Sequence, residues 1–328
     1  MRRQLLKTGA LTAASGLLLL AFTGVASAAP VAGDGAATSH RAADTASQQR
    51  HVAEHWTTKR MRNATPMEQL LDSGRRSSGP IATGKATTVK PTLPATDAVE
   101  PAAFPHAGGP WTGGGAIVKT EGRVFFTYQG RSASCSGTAV TSANKSTVIT
   151  AGHCVKLDGA WHTNWAFAPA YDNGSTPYGT WTAKSTHSTP QWVASEDINY
   201  DVGAAAVNPL NGALLTDVVG GQGVAFNQAR SQAMYAFGYP AAAPYDGTKL
   251  IYCSGVTFDA LISDGIGMDC DMTGGASGGG WLMNFNESTG AGIVNSVNSY
   301  KINFIPYWMF GPYFGADAQT LYNTAQAS

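Results

Sequence analysis

A serine lies inside a glycine-rich run near the C-terminal end of the sequence, at residues 273–280 (TGGASGGG). Glycine permits positive φ and lets other groups approach the chain closely, so the amides of such a run can point together at an anion. Acyl-transfer enzymes need this arrangement, with a nucleophilic hydroxyl beside amides that stabilise an oxyanion. Alone, the octapeptide is typical of a turn. A histidine far upstream, within residues 150–154 (TAGHC), adds the partner that a nucleophilic serine requires.

The order of the candidate residues along the chain separates two kinds of acyl-transfer enzyme. Residues 275–279 fit the G-x-S-x-G motif of α/β-hydrolases, in which the serine precedes both the acid and the histidine. No histidine follows Ser277 in this sequence. The order histidine, aspartate, serine is that of the chymotrypsin-like β-barrel enzymes. His153, the aspartates after it and Ser277 occur in that order.

Three segments resemble the motifs of the trypsin-like serine peptidases. Residues 150–154 are similar to the histidine motif of that family, residues 200–203 (YDVG) to its aspartate motif, and residues 273–280 to its serine motif. The resemblance is greatest to secreted bacterial trypsin-like peptidases on the side of the glutamyl-endopeptidase branch, which share a Thr-Gly-Gly-x-Ser-Gly run. It covers the chain from about Gly122 to the C-terminus.

The chemistry and the resemblance together assign a role to each candidate. Ser277 is the predicted nucleophile, and because a serine hydroxyl is a poor nucleophile at neutral pH, a base must take its proton. His153 is that base, since an imidazole can both take and return a proton near neutral pH. Asp201 is expected to hold the other imidazole nitrogen. The family pattern implies that the amides of Gly275 and Ser277 form the oxyanion hole.

Other histidines and aspartates compete for these roles. His162 and His187 are the other histidines of the β-rich region, but neither stands between a strand and a cysteine, and we expect both at the surface or in turns. Asp197 lies shortly before Asp201, in a polar run typical of a solvated loop. Asp201 begins an apolar strand, where a carboxylate is unusual unless it has a functional role. The sequence therefore favours Asp201.

The resemblance also implies four substrate-binding residues, Asp271, Thr273, Asn295 and Ser296. Asp271 takes the place of the residue at the base of the specificity pocket in trypsin-like enzymes, where an acid would select Lys or Arg in the substrate. The alternative is a loop acid that faces solvent. Asn295 and Ser296 belong to the stretch 292–297, which matches the strand that lines the pocket.

Two features depart from the family pattern. Many trypsin-like enzymes carry an aspartate just before the nucleophile, which pairs with the new N-terminus after activation. This sequence has Ala276 at that position, so that ion pair cannot form. Glutamyl endopeptidases carry a histidine in the pocket-lining strand, and residues 292–297 contain none. The sequence therefore predicts another route of activation and does not support a preference for acidic residues.

Short β-strands separated by turn residues dominate the chain after Gly122. We predict strands at 123–128, 147–150, 165–167, 202–207, 234–237, 250–252, 281–285 and 293–297. Many short strands with turn-rich links indicate a sandwich or barrel. The resemblance implies an all-β fold of two antiparallel six-stranded β-barrels of chymotrypsin type. Residues from Asp317 onward predict a short C-terminal helix with that aspartate as its cap.

The chain has four cysteines, which in an exported protein indicate two disulfides with three possible connectivities. In the resembled family a bridge equivalent to Cys135–Cys154 is common. It would clamp the loop that holds the base and would leave Cys253 to pair with Cys270. The cysteines show no C-x-x-C spacing, and we predict no metal site and no cofactor.

The chain divides into three predicted parts. Residues 1–28 have the basic start, the apolar centre and the small-residue end of a secretory signal peptide. Residues 29–105 are rich in Ala, Thr, Ser and Pro, and we predict a removable prosegment, with a disordered spacer as the alternative. Residues 106–328 are the predicted peptidase domain.

The predicted prosegment carries one helix signal and two candidate cleavage sites. Residues 65–68 (TPME) form a capping box with proline at the first helical position, which predicts a helix ending near Gly74. The basic pair Arg75 and Arg76 lies in a Ser/Gly run that a protease could reach, and residues 90–105 form a Pro-rich hinge.

The composition limits the possible partners. Charged residues make up 13% of the chain and the formal net charge is zero, so no basic excess is present to bind a nucleic acid. We expect a secreted, extracellular monomer that acts on protein or peptide substrates, without stable membrane association. The predicted activity is that of a serine endopeptidase. A serine esterase on the same barrel and an inactive barrel used for binding remain alternatives, although the intact candidates argue against the latter.

Overall fold

The computed structural model describes Met1 and residues 36–70, 77–93 and 104–328. Apart from Met1, the predicted signal peptide lies outside the described residues. Arg75 and Arg76 lie outside them as well, and so does most of the Pro-rich hinge. Within the described ranges, no helix has both the length and the apolar character needed to span a bilayer.

Short strands make up most of the described chain. The strands are β1 (Thr38–Arg41), β2 (Thr65–Pro66), β3 (Thr87–Val89), β4 (His106–Pro110), β5 (Glu121–Tyr128), β6 (Arg131–Val140), β7 (Thr147–Thr150), β8 (Lys156–Leu157), β9 (Ala160–Trp161), β10 (Thr163–Pro169), β11 (Trp181–Ser188), β12 (Gly203–Val207), β13 (Gly223–Phe226), β14 (Ala233–Gly238), β15 (Ile251–Val256), β16 (Phe258–Asp259), β17 (Ile266–Asp269), β18 (Gly280–Asn286), β19 (Ala291–Val297), β20 (Tyr300–Ile302) and β21 (Ile305–Gly311). The α-helices are α1 (Ala46–His55), α2 (Thr58–Arg62), α3 (Ala116–Thr120), α4 (Pro190–Ser195), α5 (Leu215–Val219) and α6 (Ala316–Gln326).

The first half of the β-rich region is a closed barrel of six antiparallel strands, in the order β5-β6-β7-β12-β11-β10. Its strand β5 is buried along both faces, including the consecutive residues Val124, Phe125 and Phe126. Successive side chains of a strand point to opposite faces, so both sides of β5 must be covered. One side fills the barrel. Trp56, directly after α1, packs on Phe125 with ring centroids 5.4 Å apart, which shows how the N-terminal segment covers the outside.

The second half of the β-rich region is divided between two sheets. One has the order β3-β13-β19-β18-β14-β15-β4 and the other the order β16-β17-β21-β20. Their pairs are antiparallel except β13 with β19. Met234, Met268 and Trp281 belong to the buried cluster of this half. The all-β fold is confirmed, and only the first barrel closes as a single ring of hydrogen-bonded strands among the described residues.

The N-terminal segment, which is described for residues 36–70 and 77–93, adds strands to both halves. Strand β1 pairs with β11, β2 pairs in parallel with β6, and β3 pairs with β13. Trp56, Met61 and Met67 are buried in the same core cluster as the residues of β5. This segment therefore does not fold apart from the barrels but against them.

The helix predicted from Thr65 does not form. Thr65 and Pro66 pair with Ala133 and Ser134 of β6, and Met67–Leu70 make a single 3₁₀ turn. The rest of the predicted helix lies outside the described residues. Met67 has no exposed surface, and its burial outweighs a capping signal worth only about 1 kcal/mol.

The predicted C-terminal helix is confirmed as α6, but its predicted cap is wrong. Gly315 occupies the cap position, and Asp317 lies in the first turn, where its carboxylate accepts a hydrogen bond from Gln191. Leu321 and Tyr322 are buried on the face that packs on the barrel. This apolar face, rather than a cap hydrogen bond, holds the helix in place.

Candidate active site

His153 is held in a short turn between strand β7 and the first disulfide. The turn Gly152–Cys154 is a 3₁₀ helix that follows the strand directly. A Cβ at Gly152 would lie 2.8 Å from the ring of Trp192, so only glycine fits there. Cys154 is bonded to Cys135 of β6, with an S–S distance of 2.02 Å. The pairing is the one that the resemblance implies, and it ties the turn to the neighbouring strand.

Asp201 holds His153 at two points. Its Oδ1 accepts a hydrogen bond from the backbone amide of His153 at 2.8 Å, and its Oδ2 lies 2.7 Å from the Nδ1 atom. A carboxylate can only accept here, so Nδ1 carries the proton and Nε2 is left able to take one. Both side chains are fully buried. This is the geometry that a general base needs.

Asp197, the competing acid, has a different role. Its carboxylate caps the turn Ile198–Tyr200 and accepts hydrogen bonds from the backbone and the hydroxyl of Ser78. It is buried, so the prediction of a solvated loop at this position is wrong. The contact with Ser78 of the N-terminal segment explains the burial.

Ser299 is a residue of the site that the sequence did not indicate. Its hydroxyl donates to Asp201 Oδ2 at 2.5 Å. It follows strand β19 and lies far from Asp201 in the chain. Since serine is common after a strand, no local signal marks it.

The loop that carries Ser277, residues 273–280 (the serine loop), depends on its glycines. Gly275 and Gly278 have φ values of +97° and +83°, which other residues rarely adopt. Ser136 of β6 anchors the loop twice, because its hydroxyl donates to the carbonyl of Gly275 at 2.8 Å and its amide donates to the carbonyl of Ser277 at 2.7 Å. The loop is thus fastened to the barrel that also positions His153.

A carboxylate from the N-terminal segment contacts this loop and the histidine. Glu68 Oε2 accepts a hydrogen bond from the amide of Gly275 at 2.7 Å, and Glu68 Oε1 lies 3.9 Å from His153 Nε2. Burial opposes the ionisation of Glu68, but interactions with His153 and Ser277 outweigh it, so the pKa of Glu68 lies below its ordinary value. From the sequence alone, Glu68 is predicted only to cap a helix.

The other two histidines are not at the surface, as the sequence led us to expect. His162 and His187 are both buried, and burial lowers the pKa of each ring to about 4. The Nε2–H of His162 donates to the backbone carbonyl of His153 at 2.9 Å. His187 interacts with the hydroxyls of Ser39 and Ser185 through its two ring nitrogens. Both rings are structural and neutral at physiological pH.

Two of the predicted substrate-binding residues lie at the start of the serine loop, Asp271 just before it and Thr273 as its first residue. The carboxylate of Asp271 is exposed and accepts a hydrogen bond from the Tyr245 hydroxyl at 2.6 Å. An exposed acid of this kind does not form the base of an enclosed specificity pocket, and the solvent-facing alternative describes it better. The Thr273 hydroxyl donates to the carbonyl of Ala242 at 2.5 Å and so fastens the loop.

The other two predicted substrate-binding residues point into the protein. The amide of Asn295 donates to the carbonyl of Ala225, and the hydroxyl of Ser296 donates to the carbonyl of Pro312, both at 2.8 Å. Both side chains are buried. The structure therefore does not bring them to the surface of a substrate pocket, because their strand belongs to the interior of the second half.

Potential metal ligands in the described ranges come together as one group of three, Cys135, His153 and Cys154. Both sulfurs of this group belong to the disulfide, and a disulfide sulfur is not the thiolate that metals bind. His51 and His55 are spaced four residues apart on α1, with ring centroids 6.5 Å from each other. No third metal ligand among the described residues joins that pair.

Comparisons with known proteins find similar proteases of known structure. The protease Anisep from Arthrobacter nicotinovorans is 47% identical, with a TM-score of 0.61, over 64% of this chain and 96% of that one. The thermostable serine protease AL20 from an extremophilic microorganism is 40% identical, with a TM-score of 0.62, over 65% and 99%. A Glu endopeptidase shares the fold at 15% identity, with a TM-score of 0.53 over 68% and 98%.

The remaining comparisons cover less of the chain. A segment of 75 residues is 41% identical to an extracellular metalloprotease of Bacillus subtilis (strain 168). The matched segment spans 23% of this chain and 23% of that relative, so the likeness concerns about a quarter of each. No family model matches the sequence.

Proposed function

This chain belongs to the chymotrypsin-fold serine peptidases, and we propose that it cleaves peptide bonds with His153, Asp201 and Ser277. One observation carries the assignment of the acid and the base. The Asp201 carboxylate bonds both the backbone and the ring of His153. A single carboxylate, that of Glu68, also reaches His153 and the serine loop together, which supports a common site for base and nucleophile.

The proposed reaction runs in two steps. Ser277 Oγ attacks the carbonyl carbon of the substrate while its proton passes to His153 Nε2, and the resulting oxyanion is stabilised by the amides of Gly275 and Ser277. The C–N bond then breaks, and the amine leaves with the proton from His153. Water repeats the sequence on the acyl-enzyme, which releases the carboxylic acid and restores the serine. Asp201 keeps the ring in the required tautomer throughout.

The domain division and the location are part of the same proposal. Residues 1–28 direct export, residues 29–105 are a prosegment that is removed, and residues 106–328 are the secreted enzyme. Two disulfides support an oxidising destination, since such bonds persist outside the cytosol. The mature enzyme acts as a monomer on protein or peptide substrates and binds no nucleic acid.

Labelling with a fluorophosphonate tests the proposed function. The processed protein is incubated with the probe, digested and examined by mass spectrometry, and we expect an adduct on Ser277. Hydrolysis of a peptide substrate is measured beside that of a short acyl ester. Absence of an adduct would contradict every enzyme function that uses Ser277, while turnover of the ester alone would replace the peptidase by an esterase.

A further inference from the structure

The serine loop already holds a carboxylate ligand supplied by the chain itself. We propose that the oxyanion hole and His153 form a carboxylate-binding site, and that Glu68 occupies it to keep the unprocessed chain latent. This inference rests on the proposed function and adds the group that blocks the site. Its main observation is the hydrogen bond from the amide of Gly275 to Glu68 Oε2, 2.7 Å long.

The position of the carboxylate explains how it would block the reaction. The amide of Gly275 is the donor that the oxyanion of a substrate needs, and Glu68 Oε2 takes it. The second oxygen lies 3.9 Å from His153 Nε2, the atom that must accept the proton of Ser277. A substrate carbonyl therefore cannot reach the hole while Glu68 is there.

The chemistry of a carboxylate suits a blocking group. Its negative charge matches the charge that the hole is built to bind, so it resembles the transition state more than a neutral peptide carbonyl does. Its carbon is also a poor target for the serine, because attack would place a second negative charge on the same group. Glu68 can therefore occupy the site without being consumed.

The chain before Glu68 is fixed firmly enough to hold the carboxylate in place. Thr65 and Pro66 pair with β6, the strand that carries Cys135 and Ser136. Met67 is fully buried beside it, and Trp56 donates from its indole nitrogen to the carbonyl of Asn164 at 2.5 Å. Glu68 itself keeps 25% of its side-chain surface exposed. Because it is not fully buried, the anchoring of the residues before it helps to hold its carboxylate in place.

The chain that follows residues 71–76 is bound to the turn that precedes Asp201. The hydroxyl of Ser77 donates to the side chain of Asn199 at 3.0 Å, and Ser78 donates to Asp197. The amide of Ile81 donates to Asp264 at 2.6 Å. Asn199 and Asp197 lie two and four residues before Asp201 in the chain, so the segment is bound close to the triad on both sides of Glu68.

The test compares unprocessed chains by their rate of fluorophosphonate labelling at Ser277, with the uncut band separated on a gel. Ser277 Oγ bonds to the phosphorus of the probe while His153 takes the hydroxyl proton and fluoride leaves, and the reaction needs the oxyanion hole. We expect Glu68→Ala to label at least about tenfold faster than wild type, because a hydrogen bond to a charged group no longer competes. Glu54→Ala is the matched control, since Glu54 lies exposed on α1 of the same segment.

Acetate distinguishes a bound carboxylate from a general loosening of the segment. In Glu68→Ala, sodium acetate should slow the labelling relative to sodium chloride of equal ionic strength, and in the wild-type chain it should change nothing. Equal labelling of wild type and Glu68→Ala would overturn the proposal, and so would equal labelling of Glu68→Ala in acetate and in chloride. The processed enzyme is labelled in parallel, and its failure to react would contradict the proposed function rather than the role of Glu68.

Discussion

Asp201 is the residue on which the geometry of the candidate site depends most. Its two oxygens accept hydrogen bonds from the amide and ring of His153 and from the hydroxyl of Ser299. We predict that Asp201→Asn lowers kcat for a peptide substrate by about 10⁴, because the amide favours the wrong tautomer of the histidine. Steady-state hydrolysis by the processed enzyme measures this.

Three further variants are compared with Asp201→Asn. Ser277→Ala should lower kcat by on the order of 10⁶ and His153→Ala by nearly as much, since the members of a triad act together. Asp197→Asn is the control for Asp201, because Asp197 contacts the N-terminal segment and not His153. A large loss in Asp197→Asn, with Asp201→Asn near wild type, would reverse the assignment of the acid.

Glu121 is a buried acid with a consequence for stability. Burial raises the pKa of Glu121 to about 8, although its carboxyl accepts hydrogen bonds from Thr138 and from the amide of Gly280. At a pH above the ordinary pKa of a glutamate, the folded protein keeps this proton and the unfolded chain loses it. The free energy of unfolding should therefore fall as pH rises towards about 8, since the folded state binds the additional proton.

Glu121→Gln tests that expectation, because the amide stays neutral at every pH. The difference in unfolding free energy between the variant and the parent should grow in favour of glutamine from pH 5 to pH 8. Denaturant unfolding in a Ser277→Ala background measures it without self-digestion. A difference that stays constant across this range would show that Glu121 does not titrate as described.

The residues of the site differ in how far the sequence could reveal them. Ser277, His153 and Asp201 each stand in a distinctive local context, a glycine run, a cysteine neighbour or an apolar strand. Ser299 and Glu68 do not, because their roles arise from contacts across 98 and 207 residues of chain. Asp271 shows the opposite case, since its sequence position matches a family pattern, whereas its exposure fits the solvent-facing alternative.

At the scale of elements, the first disulfide links the strand that anchors the serine loop to the turn that carries the base. Cys135 precedes Ser136, and Cys154 follows His153. We predict that replacing both cysteines by alanine lowers the free energy of unfolding by roughly 3 kcal/mol, by the loop-entropy estimate. It should also lower kcat, because both anchors of the site are released.

The second disulfide provides the matched control. Cys253–Cys270 closes a loop of similar length, 17 residues against 19. Its removal should cost a similar free energy of unfolding but a smaller part of kcat. Equal losses of kcat in the two variants, measured under conditions where both are folded, would contradict a direct effect on the base.

The strands show what the sequence could and could not predict at this scale. Strands with apolar and β-branched residues, such as β7 and β5, were predicted within a few residues. Strand β11 was not, because its sequence WTAKSTHS is mostly polar. Most of its polar side chains, among them Thr186 and His187, are buried all the same, since β1 and β12 pair with it. Local composition cannot reveal such tertiary pairing.

At the scale of the whole molecule, the absence of a carboxylate at Ala276 predicts tolerance of different mature N-termini. Chains that begin at successive positions from Ala102 to His106 should hydrolyse a peptide at equal rates. Chains that begin after Pro110 lack β4. This strand pairs with β15, and the carbonyl of its residue Ala107 accepts a hydrogen bond from the backbone amide of Asp271. These shorter chains should unfold at lower temperature, as measured by calorimetry.

A single active start would contradict this prediction. If acetylation of its terminal amine also abolished activity, the amine would pair with a carboxylate elsewhere. Asp269 and Asp271 would be the first to examine. Asp271 supports the tolerant outcome, because its carboxylate already accepts a hydrogen bond from the Tyr245 hydroxyl at 2.6 Å.

The position of Glu68 in the chain also sets an order in time. Glu68 stands 207 residues before Gly275, the residue whose amide it binds. Chains are synthesised from the N-terminus at about 5–20 residues per second, so the blocking group emerges roughly 10–40 s before the loop that it blocks. The same order holds for a chain exported with its N-terminus first. The cell therefore never contains a complete nucleophile loop whose inhibitor has yet to be made.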